Sequence, residues 1–134
     1  MIKHLLAWFG IALLAVLNGA ARDILYKPYT GELAAHQIST VVLIVIITAA
    51  AWLAQSRWPF TNGREALAVG LCWMLQTIAF ECFVGRVLAG RTWDVVLRDY
   101  DIASGRIWVL IPIWLIAVPA LVFRARSNTG ARTA

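Results

Sequence analysis

Hydrophobic residues form four long runs along the chain, and charged residues almost never interrupt them. Residues 5–21, 38–54 and 107–123 contain no charged residue, and residues 66–84 contain one, Glu81. A helix that crosses a bilayer needs about 20 apolar residues, within a range of about 17–25. Because a lipid-exposed backbone must satisfy its own hydrogen bonds, each run predicts a transmembrane helix rather than a strand.

These runs predict an all-α fold, a membrane-embedded antiparallel four-helix bundle that forms a single integral membrane domain over residues 1–134. Between spans three and four, apolar residues recur at i, i+3, i+4 and i+7, which predicts a short interfacial helix over approximately residues 93–101. An irregular loop with accidental spacing is the alternative. We place the four spans at approximately residues 5–22, 32–54, 64–86 and 106–123.

Residues near the ends of the runs carry the signals expected of helix boundaries. Asn62 and Glu65 form a capping box before the third span, and Pro28 with Gly31 interrupts helical character between spans one and two. A cleavable secretory signal over the first span, ending at residues 19–21, is an alternative that leaves three spans. Several tryptophans lie near span ends and suggest an interfacial belt: Trp8, Trp52, Trp58, Trp93 and Trp108.

Composition narrows the class of protein. Hydrophobic residues make up 61% of the chain and charged residues 14%, whereas soluble domains carry about 45–50% and about 25%. The net charge of +5 comes from basic residues that flank apolar runs, so we exclude nucleic acid as a partner. The expected partners are the lipid bilayer and second copies of the chain or other membrane subunits, because Ala15 and Gly19 allow close helix approach.

The charges of the connections bear on orientation in the membrane. Four spans place both termini on the same side of the membrane, which we call the terminal side. The first and third connections lie on the opposite side, which we call the loop side. Each side carries six Lys or Arg residues, so the positive-inside rule gives a tie. Acidic residues are concentrated on the loop side, which favours cytoplasmic termini in a bacterial inner membrane. Insertion of different copies in both orientations is the alternative.

Glu81 is the informative residue because it lies inside the third run, five residues before Arg86. A carboxylate that faces lipid costs about 3 kcal/mol, so we expect Glu81 to face the bundle interior and to have a basic partner on another helix. An ion-pair network and a cavity for an ion, a proton or a small polar molecule both fit this pattern. The predicted polar cluster consists of Asn18, Arg22, Glu32, His36, Gln76, Glu81, Arg86, Asp101 and Arg106.

Motifs that carry chemistry are sparse. Glu32 and His36, with Glu81 or Asp101, have the donor types that a divalent metal accepts, but scattered acids beside one histidine also arise by chance. The chain has no glycine-rich phosphate loop, no nucleophile elbow and no His-Glu-x-x-His motif. We therefore expect no catalytic residue, no metal and no cofactor.

Three stretches together resemble an uncharacterised family of small four-span bacterial inner-membrane proteins. They are residues 31–40 (GELAAHQIST), 80–86 (FECFVGR) and 99–108 (DYDIASGRIW). The resemblance covers most of the chain and implies fold and location, without an activity. The three stretches include members of the predicted polar cluster: Glu32, His36, Glu81, Arg86, Asp101 and Arg106.

The sequence supports three hypotheses about function. The first is a non-enzymatic accessory, assembly or sensor component with a polar cluster at one membrane face. The second is a small ion- or proton-coupled transporter that acts as an oligomer, which requires a water-accessible Glu81 and a polar path past Gln76. The third is a membrane-embedded enzyme that uses His36 and Glu81, which requires both side chains at one cavity.

Overall fold

Helices are the only regular elements in the described part of the chain, which comprises the backbone of residues 1–132 and the side chains of residues 1–128 in a computed structural model. The all-α prediction is confirmed, and four of the helical stretches are long and apolar enough to cross a membrane. The α-helices are α1 (Ile2–Ala21), α2 (Lys27–Thr30), α3 (Glu32–Arg57), α4 (Gly63–Cys82), α5 (Trp93–Arg98) and α6 (Leu110–Arg132).

The first helical stretch is longer than the sequence predicts. A π-helical turn over Arg22–Tyr26 joins α1 to α2, so the chain stays helical from Ile2 to Thr30. Pro28 lies in the first turn of α2, where a missing N–H is tolerated. The break falls at Gly31, whose φ of +82° is accessible to glycine without a Cβ clash.

The start of α4 carries a capping box that is shifted by one residue. The Asn62 side chain accepts a hydrogen bond from the Glu65 N–H at 2.9 Å. The Glu65 carboxylate reaches back to the N–H of Thr61 at 2.8 Å, one residue before the position expected in the standard motif. The cap still fixes the first turn of α4 because two donors at the helix entrance are satisfied.

The connection between α4 and α6 contains more structure than the predicted surface helix. Helix α4 continues as a π-helical segment over Phe83–Leu88. Helix α5 ends at Arg98 rather than near residue 101, and a 3₁₀ turn over Ile102–Ser104 follows. Helix α6 then begins at Leu110, four residues later than predicted, after a turn closed by the Leu110 N–H and the Ile107 carbonyl at 3.0 Å.

Each long helix packs against two others: α1 contacts α3 and α4, and α6 contacts the same two helices. The tightest approach is between α4 and α6. At Gly70, an added Cβ would lie only 2.5 Å from the backbone oxygen of Ile116. All four long helices contribute to one apolar core, formed by Trp8, Ile11, Leu43, Ile47, Ala51, Phe60, Ala66, Val69, Trp73, Ile111, Leu115, Val118 and Val122.

Trp8 belongs to this core and not to a surface belt as predicted. Its side chain is 6% exposed, and its indole N–H donates to the Thr77 hydroxyl at 2.9 Å. A buried indole normally finds such an acceptor because an unpaired N–H in an apolar setting is costly. This hydrogen bond links α1 to α4.

Replacing Thr77 with valine keeps the side-chain shape but removes the acceptor for Trp8. We expect T77V to lower the free energy of unfolding by about 1–3 kcal/mol, because a buried donor loses its partner. Unfolding in mixed micelles with an increasing fraction of ionic detergent measures this loss. In a W8F background the same substitution should cost much less, and equal costs in both backgrounds would show that the hydrogen bond contributes nothing.

Candidate functional site

Ionisable side chains from the π-helical turn after α1, from α2, from α3 and from the α4–α6 connection meet at the loop side. They enclose a cavity of about 140 Å³, here the polar pocket. Every residue that lines it is ionisable, which is unusual because protein cavities are mostly lined by apolar groups. The lining residues are Arg22, Asp23, Lys27, Glu32, His36, Arg91, Asp99 and Arg106.

The π-helical turn after α1 determines where Arg22 points. A π-helical turn is wider than an α-helical one and is often found at functional sites. Arg22 donates to the neighbouring Asp23 at 3.0 Å through Nε, and its Nη1 lies 3.4 Å from Nδ1 of His36 on α3. One turn earlier, the buried Asn18 amide donates to the carbonyl and the hydroxyl of Ser39, both at 2.9 Å. Together these contacts fix the end of α1 against the start of α3.

Arg106 joins the α4–α6 connection to α3. Its Nη1 lies 2.6 Å from Asp99 Oδ1, and its Nη2 lies 3.0 Å from Glu32 Oε1. The hydrogen bond that Arg106 donates to Glu32 and the charge of Asp99 raise the pKa of the guanidinium above its ordinary value, so the group stays charged. Arg106 is only 15% exposed and therefore acts as the fixed cation of the pocket.

His36 presents an unsatisfied donor beside the pocket. A guanidinium can only donate, so the contact with Arg22 makes Nδ1 of the neutral ring an acceptor and places the ring proton on Nε2. Within residues 1–128 the buried Nε2 has no hydrogen-bond partner. The other close neighbour of this ring is the indole of Trp108, whose centroid lies 5.6 Å away.

Glu81 has neutral partners rather than the basic partner predicted. Its Oε1 accepts from the indole N–H of Trp108 at 2.9 Å, and its Oε2 accepts from the hydroxyl of Tyr100. Burial and the nearby carboxylate raise the pKa of the Tyr100 phenol, so the hydroxyl stays protonated and able to donate. Two of the three arginines of the polar pocket are engaged elsewhere, because Arg22 pairs with Asp23 and Arg106 pairs with Glu32 and Asp99.

Glu81 forms part of the wall that two further cavities share. The first, here the outer pocket, has a volume of about 210 Å³ and is lined by Phe80, Glu81, Val84, Gly85, Ala89, Arg91, Val96, Asp99, Tyr100 and Trp108. The second, here the apolar cavity, has a volume of about 140 Å³ and is lined by Trp8, Ile11, Ala12, Ala15, Val16, Leu43, Ile47, Thr77, Phe80, Glu81, Trp108, Ile111 and Leu115. Among the described residues that line the apolar cavity, Glu81 is the only one with an ionisable side chain.

Three residues of the predicted cluster lie outside these contacts. Arg86 donates to the Arg91 carbonyl and stacks over the Trp93 ring at 5.0 Å. Asp101 is exposed and caps the 3₁₀ turn by accepting from the Ala103 N–H at 3.1 Å. Gln76 lines none of the three cavities, and its buried Oε1 has no partner among the described residues. The enzyme hypothesis loses support because His36 and Glu81 line different cavities.

Six residues of the site are absent from the predicted polar cluster. Tyr100 and Trp108 were predicted to serve at the membrane surface, as part of an amphipathic helix and an aromatic belt. Their polar ends instead hold Glu81, and only the path of the connection into α6 brings them there. The other four are charged residues that sequence reasoning assigned to the connections: Asp23, Lys27, Arg91 and Asp99.

Within the described residues no three histidine, cysteine, aspartate or glutamate side chains lie close enough together to hold a metal ion. The polar pocket therefore offers charge and hydrogen bonds. Comparisons of the chain with protein-family models, curated proteins and solved structures found no match. The residues of this chain consequently carry every functional conclusion that follows.

Proposed function

We propose that the chain is an integral protein of the bacterial inner membrane, folded as an antiparallel four-helix bundle with cytoplasmic termini. Large apolar side chains that point outward support the membrane location. On α1, Leu6, Phe9 and Leu13 are each about 60% exposed, and such an outward stripe is unfavourable in water. The basic residues are divided evenly between the two sides, so the orientation is supported by the acidic residues, which are concentrated on the loop side.

Contacts at both ends support the antiparallel arrangement. At the terminal side, His4 of α1 contacts the carbonyl of Trp58, just after α3, at 2.8 Å. At the loop side, the end of α1 meets the start of α3 through Asn18 and Ser39. The start of one helix therefore lies beside the end of the next, as in a bundle with alternating directions.

The function that the geometry supports best is a non-enzymatic accessory or sensor component whose polar pocket binds an anionic group. The observation that carries this proposal is a pocket lined entirely by ionisable side chains, four of them Arg or Lys and three carboxylates. Arg91 contributes a guanidinium with no ion-pair partner within 4 Å among residues 1–128. A purely structural network has no need of this unpaired charge.

Native mass spectrometry of the full chain, purified from bacterial membranes in an uncharged detergent, tests the pocket. We expect the wild-type protein to retain a bound anionic species and R91Q to lose most of it. Arg98 provides the matched control because it is an exposed arginine of the same connection that lines none of the three cavities. R98Q should retain the species at the wild-type level.

R91Q is informative because it should leave the fold intact. The Arg91 side chain has no ion pair to lose, so R91Q should melt at the same temperature as the wild type once bound species have been stripped from both proteins. An R91Q protein that carries as much bound species as the wild type, or a wild type that carries none, would reduce the cluster to a structural network.

A proton-coupled transporter that acts as an oligomer is the second candidate, and one observation favours it. Glu81 is an ionisable residue that lines both the outer pocket and the apolar cavity, and a proton carrier needs such a residue between two compartments. Liposomes that contain a pH-sensitive dye and an imposed potential test this function. Faster internal acidification with wild-type protein than with folded E81Q would support transport, and equal rates would exclude it.

A further inference from the structure

The three cavities form a series from the loop-side surface to the middle of the bundle. The polar pocket and the outer pocket share Arg91 and Asp99 as wall residues. The outer pocket and the apolar cavity share Phe80, Glu81 and Trp108. The lining changes along the series. Every residue that lines the polar pocket is ionisable, whereas the apolar cavity is lined by apolar residues apart from Thr77 and Glu81.

The polar end of the series favours an anion. Its cationic side chains exceed its carboxylates by one, and the fixed charge of Arg106 and the unpaired Arg91 both face this space. Guanidinium groups bind phosphate with charge-assisted hydrogen bonds, which are about twice as strong as neutral ones.

The apolar end of the series favours hydrocarbon. The hydroxyl of Thr77 already accepts from Trp8, so it offers little to a polar ligand. The cavity reaches the outside of the bundle at Val16, which lines it and is 53% exposed. Apolar cavities of this size stay dry and accept apolar molecules. In a membrane the apolar molecules at hand are acyl chains.

We propose that the three cavities bind one anionic phospholipid, with its phosphate in the polar pocket and one acyl chain in the apolar cavity. The dimensions agree with this assignment. Arg22 lines the polar pocket and Trp8 lines the apolar cavity, fourteen residues earlier on the same helical stretch, which is about 21 Å. Half of a bilayer, with its headgroup region included, is about 20–22 Å thick.

Glu81 determines which end of the phospholipid enters the apolar cavity. Both of its carboxyl oxygens accept hydrogen bonds, from Trp108 and from Tyr100, so Glu81 offers no hydrogen-bond donor to a phosphate at the entrance to the apolar cavity. The anionic head is therefore excluded from the inner cavity while a neutral chain can pass along Phe80 and Trp108. This inference rests on the proposed anion-binding function and adds the class of ligand.

Melting temperatures of the purified full chain in an uncharged detergent test the inference with three probes. They are dioctanoyl phosphatidylglycerol, dioctanoyl phosphatidylcholine with the same chains but no net charge, and inorganic phosphate without chains. We expect only phosphatidylglycerol to stabilise the wild type at matched concentrations. R91Q should weaken its apparent affinity about tenfold, the usual effect of losing one charge-assisted contact, and R98Q should not.

A second pair of variants tests the chain-binding end. Ala15 lines the apolar cavity and Ala20 is an exposed alanine on the same helix, so A15L fills the cavity and A20L is its control. A15L should abolish stabilisation by phosphatidylglycerol while A20L keeps it. Equal stabilisation by phosphate alone, or by phosphatidylcholine, would overturn the phospholipid assignment but leave an anion or lipid pocket. No stabilisation by any probe would overturn both the assignment and the proposed function.

Discussion

Replacing Gly70 with alanine should cause one of the largest losses of stability in this protein. A Cβ at this position would lie 2.5 Å from the backbone oxygen of Ile116 and 2.9 Å from that of Leu115. Both obstructing atoms belong to helix backbone, so a side-chain rotation cannot relieve the clash and α4 must move away from α6. Overpacking of this kind costs about 1–3 kcal/mol and sometimes more. Thermal unfolding in detergent, followed by size-exclusion chromatography, measures the loss.

Gly10 provides the matched control for this substitution. It lies in the middle of α1, and an added Cβ there would meet nothing within 4 Å. Alanine is favoured over glycine in a helix by up to about 1 kcal/mol, so G10A should leave the melting temperature unchanged or raise it slightly. A G70A protein as stable as G10A would show that α4 and α6 do not approach each other this closely in solution.

Sequence alone was sufficient to predict the four long helices because their signal is local. Each apolar run is long enough to cross a bilayer, and backbone hydrogen bonding makes helix the natural state for such a run. The positions at which these helices end were less predictable. The π-helical turn after α1 carries the helix past residue 22 to Thr30, and nothing in the hydrophobic pattern of residues 22–30 distinguishes such a turn from an ordinary connection.

The site was only partly predictable because its partners come together through tertiary structure. The depth of Glu81 correctly indicated a carboxylate that needs partners, since the side chain is held by hydrogen bonds inside the bundle. The identity of those partners depended on the path of residues 89–109, which turns Tyr100 and Trp108 inward. Aromatic residues near a span end are ambiguous, because the same residue type serves an interfacial belt and a buried hydrogen bond.

Replacing Glu81 with glutamine should destabilise the loop-side half of the bundle. The carboxylate accepts one hydrogen bond on each oxygen, from Trp108 and from Tyr100. Glutamine has one acceptor oxygen and one amide that donates, so one of the two partners then faces another donor. A buried donor without an acceptor costs about 1–3 kcal/mol. We expect E81Q to lower the free energy of unfolding by roughly 2 kcal/mol, measured by denaturation in mixed micelles.

The same substitution at Glu65 separates this effect from a general loss of charge. The Glu65 carboxylate accepts two hydrogen bonds from Thr61 and one from the N-terminal ammonium of Met1, but it lies at an exposed cap where water can replace them. E65Q should therefore cost less than E81Q. Removal of the Tyr100 hydroxyl gives the decisive comparison, because Y100F should cost less in the E81Q background than in the wild type if the two groups are coupled. Additive losses would show that Tyr100 does not hold Glu81, and the wall between the outer pocket and the apolar cavity would then need another origin.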